Sequence, residues 1–296
     1  MHLVTFEKSG SVRIGVLNDQ HDKVLDFAEL APELPNTMLE FIAQGDAAIE
    51  KARQAIANAN EGLSLDTLQL QAPIPRPARN ILCVGKNYPE HVKEVQSVAA
   101  SVKDTQAATP DVPIIFTKAT SSVIGPGTAI PASRDPTASV DYEGELAVVI
   151  GNGGRGIATA DAMTHVFGYS IINDVTSRRL QKRHQQWFIG KSLDGFCPMG
   201  PCLVTSDEIE NVLNLRIQTR VNDELRQDGY VSEMIFDIPT LIATLSNYMT
   251  LETGDIIATG TPAGVGMGFK PPKFLQPGDH VSITIDGIGT LENTVT

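Results

Sequence analysis

From Asn80 onward, short apolar runs cut by glycine and proline dominate the pattern: "ILCVG", "PIIFTK", "ELAVVIG", "YSIINDV", "LRIQTRVN", "DIIATGTP" and "HVSITIDGIGTL". Runs of this length, rich in β-branched residues and bounded by turn formers, predict strands. Helical stretches are few, chiefly "TADAMTHVFG" and "DIPTLIATLSNYM". The first 70 residues read differently. "LVTFEKSGSVRIGVL" predicts two short strands around a Ser-Gly turn, and "DAAIEKARQAIANAN" an Ala-rich amphipathic helix. The stiff connector "APIPRPARN" (72–80) then places three prolines in nine residues. We therefore expect a small N-terminal α+β domain, 1–71, and a larger domain, 72–296. The class is α+β, mostly β, without the regular strand and helix alternation of a doubly wound sheet.

One strand carries unexpected charge. In "VDYEGELAVVIG" (140–151) alternation puts Asp141, Glu143 and Glu145 on one face and Val140, Tyr142, Leu146 and Val148 on the other. Crowded carboxylates on a half-buried strand repel and lose hydration, so a positive partner is required. A second apolar run, "GYSIINDVTSR", ends at Asp174, which can face Glu143 and Glu145 across neighbouring strands. Three oxygen ligands without nearby Cys or His select a hard divalent ion: Mg²⁺ or Mn²⁺, with Ca²⁺ as a substitute. The competing reading is a solvated acidic face balanced by surface lysines. The apolar run that Glu143 and Glu145 open, and the third acid ending a similar run, favour the ion.

Composition narrows the partners. The 296 residues carry a formal net charge of −12, which argues against nucleic acid or an anionic membrane surface and for a small-molecule substrate. The N-terminal stretch has no unbroken apolar h-region, and no segment approaches the roughly 20 apolar residues of a membrane span. Cys83, Cys197 and Cys202 are sparse and odd in number, fitting a reducing compartment, and lack zinc spacing. These features lead us to expect a cytoplasmic protein.

Taken together and in order, "VGKNYPEH", "DYEGELAVVIG", "NDVTSRRLQ", "WFIGKSLDGFCPMGP" and "ATGTPAGVG" resemble the fumarylacetoacetate hydrolase family over about Asn80 to Val295. The stretch "TGTPAGVGMGFKPPKFLQPGDHV" looks most like the branch of fumarylacetoacetate hydrolase domain-containing proteins. The resemblance implies a mixed β-roll or β-sandwich catalytic domain, a homodimer, and Glu143, Glu145 and Asp174 as ligands of Mg²⁺ or Mn²⁺. Many members read S-A-R-D where this chain has Thr176, Ser177, Arg178 and Arg179. Arg178 and Gln181 remain in register as substrate contacts.

His91 and Glu94 are three apart in "NYPEHVKEV", so on a helix the carboxylate can orient the imidazole and raise its basicity. Without the family match a surface helix pair is the simpler reading; the resemblance makes His91 a general base in a lid over the metal. The following "QSVAASVKDTQAATPDV" is small and polar, as a mobile lid would be. Lys191 lies in "FIGKSLDG", whose "GKS" is no phosphate loop, because position 185 is Gln rather than Gly. In the family its ammonium stabilises an enolate or oxyanion; the plain alternative is a snorkelling lysine. Thr261 belongs to a Gly-rich turn that can hold a substrate carboxylate or be a turn and nothing more. "GNGGRG" (151–156) mimics a dinucleotide fingerprint. The expected helix begins only near Thr159, and the acids of the preceding strand would repel a pyrophosphate, so a tight hairpin or loop fits better.

The reaction implied is C–C hydrolysis of acylpyruvate or fumarylpyruvate-type 2-oxo acids through a metal-bound enolate. His91 with Glu94 would activate water, and Arg178, Gln181 and Lys191 would complete the oxyanion pocket. The alternative is keto–enol tautomerisation or decarboxylation of oxaloacetate, or a related isomerisation, at the same site. A more distant alternative is a non-catalytic, metal-stabilised ligand-binding β module.

Overall fold

The computed structural model describes residues 1–57, 59, 62–99 and 109–296. The strands that build the site are β1 (His2–Lys8), β2 (Ser11–Leu17), β3 (Lys23–Asp26), β4 (Ile81–Gly85), β5 (Ile114–Lys118), β6 (Gly144–Ile150), β7 (Val166–Asn173) and β8 (Cys197–Thr205). Four more strands, β9 (Arg216–Val221), β10 (Glu224–Tyr230), β12 (His280–Ile285) and β13 (Gly289–Thr294), form a separate sheet in the order β10-β9-β12-β13, while β11 (Ile256–Ala258) joins the main one. The main sheet runs β3-β2-β1-β8-β7-β6-β11-β4-β5, with two-residue strands at its margins. The mostly β, α+β class expected from the pattern is the class observed.

β6 lies at the centre, buried along its whole length. Leu146, Val148 and Ile150 enter one apolar core with Tyr142, Tyr169 and Ile257, while Ala147 and Val149 enter another with Cys83, Phe167 and Ala258. A strand covered on both faces reads as a continuous apolar run, which is why "LAVVI" shows no alternation. Antiparallel pairing of Gly144 with Asn173 sets the end of β6 beside the end of β7, and parallel pairing of Ile257 with Leu82 sets β11 beside β4. Strand ends thus converge at one edge.

The first 71 residues are distinct in chain order but not in packing. Leu3 pairs with Leu203, joining β1 to β8, and Phe41 of helix α1 (Met38–Gln44) meets Phe167 of β7 edge-on at 6.4 Å. The Ala-rich segment forms α2 (Asp46–Ala57), packed through Ala48 and Ala52. "NYPEHVKEV" forms α3 (Pro89–Ala99). Two further short helices are α4 (Arg178–Arg183) and α5 (Phe188–Lys191); "DIPTLIATLSNYM" gives α6 (Ile238–Tyr248), capped by Asp237 on the Thr240 amide.

The helix expected over 159–168 is not observed. A 3₁₀ turn covers Ala162–His165, and the chain then enters β7 at Val166, because Val166 and Phe167 are claimed by the sheet. "GNGGRG" lies in the connection between the antiparallel neighbours β6 and β7, as a loop, with Gly154 bridged to Leu251. Most of the "QSVAASVKDTQAATPDV" segment lies outside the described residues. Among the described residues no helix is long and apolar enough to cross a membrane. All three cysteines are buried and free.

Candidate active site

Glu143, Glu145 and Asp174 meet where β6 and β7 end side by side. Each offers a carboxylate oxygen within 4.8 Å of the others, and all three are buried. Glu143 accepts a hydrogen bond at 2.6 Å from Lys191 Nζ on one oxygen and forms an ion pair at 2.6 Å with Arg178 Nη1 on the other. Asp174 is bracketed by two ammoniums, Lys118 Nζ on Oδ1 and Lys191 Nζ on Oδ2, each at 2.6 Å. Glu145 has a weaker donor, the Gly260 amide at 2.9 Å. The positive charge required by the acidic strand therefore comes from α4, α5 and the end of β5.

This unequal pairing sets the electrostatics. Burial disfavours the Glu143 charge, but Lys191 and Arg178 outweigh it and hold the carboxyl well below its usual range. Burial, reinforced by the Asp174 and Glu143 charges, pushes the Glu145 carboxyl well above it. A hard divalent cation suits this donor set: three buried carboxylates, no sulfur or imidazole among them, and one carboxylate whose charge no side-chain cation meets directly among the described residues.

Asp141 shares the acidic face but is spent on structure. It accepts from the Gly266 and Met267 amides, at 2.7 and 2.9 Å, and from Arg178 Nε at 2.8 Å. Arg178 thus uses Nε on Asp141 and Nη1 on Glu143, leaving Nη2 buried without a hydrogen-bond partner among the described residues. A buried, unmatched guanidinium N–H calls for an acceptor.

On another side, α3 presents His91. Its Nδ1 lies 3.0 Å from Glu94 Oε2, as the three-residue spacing predicts, and its ring is close enough to Glu143 to act on that charge. Glu94 is held in turn by the Gly264 amide, at 3.1 and 3.3 Å to its two oxygens. A Cβ at Gly268 would fall 1.9 Å from Glu94 Oε1, so a larger residue there would push the Glu94 side chain from this position.

Thr261 sits beside the triad, with its hydroxyl engaged on the framework. It donates to Gly144 O at 2.9 Å and accepts from Gln227 Nε2 at 2.7 Å, tying the Gly-rich turn to β6. Gln181 is half-buried on α4, its backbone against Gly190, one residue before Lys191. The pattern did not single out three residues. Lys118 is fully buried and also donates to the carbonyls of Val175, at 3.0 Å, and Lys191. Asn87 grips Thr259 O and the Phe236 amide, and Gln227 accepts from the Gly144 amide. A lysine closing the apolar run "PIIFT" was the available signal, parallel to Asp174 closing "YSIIN".

Residues 80–296 match the family model described as the C-terminal domain of fumarylacetoacetate (FAA) hydrolase. Over its full length the chain is 48% identical to oxaloacetate tautomerase YisK of Bacillus subtilis, which it covers completely. Among solved structures, the fumarylacetoacetate hydrolase from psychrophilic Exiguobacterium antarcticum superposes with a TM-score of 0.81 at 43% identity, covering 100% of this chain and 99% of that one. The maleylpyruvate hydrolase of Sphingobium sp. SYK-6, in complex with manganese(II) and pyruvate, has a TM-score of 0.80 at 30% identity with the same coverage. The match spans most of the chain and includes the strands, turns and short helices that assemble the acidic triad, so this protein is a member of the fumarylacetoacetate hydrolase family, and an enzyme.

Proposed function

We propose that the enzyme binds a small 2-oxo acid and stabilises its enolate, with keto–enol tautomerisation of oxaloacetate as the activity the full-length likeness to YisK favours. The observation that carries the chemistry is the position of Lys191, an ammonium buried between Glu143 and Asp174 at the same point as the three converging carboxylates. Glu143, Glu145 and Asp174 would hold Mg²⁺ or Mn²⁺, which when bound supplies Lewis-acid polarisation of the substrate's 2-oxygen. Lys191 offers its N–H to the negative charge that develops as the enolate forms, a contact worth more in the transition state than in the ground state. Arg178 directs its unmatched Nη2 at the substrate carboxylate, with Gln181 alongside.

His91 carries the proton. Glu94 fixes the ring through Nδ1, so Nε2 is the nitrogen that takes a proton from the carbon next to the carbonyl and delivers it to the enolate's 2-oxygen, the opposite transfer converting enol to keto. Lys191 and Arg178 stay charged throughout. Thr261, Gln227 and Asn87 keep the turn against β6.

A second reading, C–C hydrolysis of an acylpyruvate, draws support from the likeness to maleylpyruvate hydrolase. Here His91 would activate water against the distal carbonyl, while Lys191 and Arg178 keep their roles. A panel of enol-oxaloacetate, acylpyruvates and fumarylpyruvate, with Mn²⁺ and with a chelator, tests both. Rapid equilibration of oxaloacetate without acylpyruvate cleavage supports tautomerisation, and cleavage supports hydrolysis. Turnover of either kind that survives full chelation would remove the metal from the mechanism.

A further inference from the structure

Glu94 takes its position from a loop, and residues outside the acidic triad hold that loop. The Gly264 amide donates to both Glu94 oxygens, and Gly268 lies close to the same carboxylate. Underneath, the wholly buried Tyr142 donates its hydroxyl to Gly264 O at 2.8 Å. On the outer side one ring fastens the loop. Phe269 is half-buried, and two cations lie over it, Arg226 Cζ at 5.1 Å and Lys273 Nζ at 4.6 Å from the ring centroid.

The ring and Arg226 matter most among these contacts. Glu224 pairs with both cations, at 2.9 Å to Arg226 Nη2 and 2.6 Å to Lys273 Nζ, but its side chain is 48% exposed, and pairs that solvent reaches fix little. The Arg226 side chain is only 10% exposed. A cation so far out of water gains more from an aromatic face than an exposed one does. Arg226 also donates from Nη1 to the Tyr142 hydroxyl at 3.5 Å, and its carbonyl sits where a Cβ on Gly264 would come within 1.8 Å. Gly264, at φ 108°, supplies the conformation and the bare Cα that this approach requires. A continuous path thus runs from Phe269 and Arg226 through Tyr142 and Gly264 to Glu94 and His91 Nδ1.

We propose that Arg226 and Phe269 are positioning residues for the proton carrier: they hold Gly264 where its amide meets Glu94, and Glu94 in turn fixes the His91 ring. This role rests on the reading of His91 as proton carrier and adds what sets its tautomer and orientation.

The full-length protein loaded with Mg²⁺ tests it. Phe269→Leu keeps apolar bulk but removes the ring face; it should lower kcat on enol-oxaloacetate by about tenfold while KM and oxalate affinity stay within about twofold. Phe269→Tyr keeps the face and should restore the rate. In a His91→Ala background Phe269→Leu should cost less than about twofold, because a residue acting through His91 has nothing left to position. Nitrogen-15 spectra of the His91 imidazole, identified by their loss in His91→Ala, read the same effect without turnover: one tautomer, protonated on Nδ1, in wild type and Phe269→Tyr, and a mixture in Phe269→Leu. Arg226→Met should reproduce Phe269→Leu in every measurement, and decides the matter if Phe269→Leu fails to fold. A single Nδ1 tautomer in both loop variants, or the same tenfold loss with and without His91, overturns the positioning role and leaves the proton-carrier reading standing. Wild-type turnover by His91→Ala overturns that reading, and the positioning role with it.

Discussion

Glu143 and Glu145 stand two residues apart on one strand face, yet their surroundings differ sharply. Glu143 is saturated: both oxygens carry a buried cation, and its carboxyl is held well below the ordinary range. Among the described residues Glu145 has one amide donor, and burial beside Asp174 and Glu143 pushes its carboxyl well above that range. The difference shows how a fold can collect three buried carboxylates at a tolerable cost. Two of them are neutralised by side chains built into the framework, and in the proposed metal site the third would leave its charge to an exchangeable ion. On that reading the saturated flank orders the site, and the unsaturated flank would give it affinity.

The comparison breaks most completely when a carboxylate is removed. Glu143→Ala, Asp174→Ala and Glu145→Ala should each abolish Mn²⁺ binding in calorimetry and activity with it, since two protein ligands hold a hard ion weakly. Glu145→Ala should be the mildest for folding, because it takes no carboxylate from a cation; the other two each remove one of the two carboxylates that hold Lys191. Full-affinity Mn²⁺ binding by any variant would strike that residue from the ligand set. His91→Ala comes next, touching neither flank. It should lower turnover by about 10²- to 10⁴-fold with Mn²⁺ affinity intact, the usual worth of a positioned acid–base group. Loss of metal affinity in that variant would show that His91 supports the framework instead.

The two lysines on Asp174 sharpen the contrast. Lys118 also donates to two carbonyls and is wholly enclosed, so Lys118→Met should destabilise the fold by about 1–3 kcal/mol, the cost of leaving buried acceptors unmatched while Lys191 still holds Asp174. Lys191→Met should lower turnover and weaken oxalate, an enolate mimic, more than a neutral ground-state analogue. Melting temperatures set beside oxalate affinities separate the two roles. Equal loss of oxalate affinity in both variants would mean that the lysines act as one unit.

Much of this site was legible in the sequence because its geometry is local. Strand alternation fixed the common face of Glu143 and Glu145, a three-residue helical step paired His91 with Glu94, and a strand end delivered Asp174. Lys118 was not legible, since its partner Asp174 lies 56 positions away and a strand-end lysine ordinarily reaches solvent. Gln227 and Asn87 were hidden for the same reason: their contacts with the Gly144 amide and Thr259 O span 83 and 172 positions. In the fold, the stretch 159–168 carried helical spacing, but sheet pairing from Val166 overrode it. The N-terminal 71 residues looked like an appendage because composition shows the connector and not the pairing of Leu3 with Leu203.

The smallest effect should come from the knot that steadies the saturated flank from behind. Asp135 accepts from the Thr137 and Ser139 amides, at 2.9 and 2.8 Å, and from both hydroxyls. Ser139 passes this order on, its carbonyl accepting from the Arg178 amide at 3.1 Å and its hydroxyl from the Arg179 amide at 3.0 Å. Burial works against the Asp135 charge, but the hydrogen bonds from Thr137 and Ser139 outweigh it and hold the carboxyl below the usual 3.8. A carboxyl depressed in the folded state stabilises it fully above the unfolded value, and that contribution fades as pH falls from about 3.8 through the lower folded value. Asp135→Asn should therefore cost on the order of 1 kcal/mol at neutral pH, and the gap to wild type should narrow as the pH drops below 4. Denaturant melts at a series of pH values measure this. A gap that stays constant across the acid range would show that Asp135 acts through shape rather than charge, and that Arg178 is held by its own ion pairs alone.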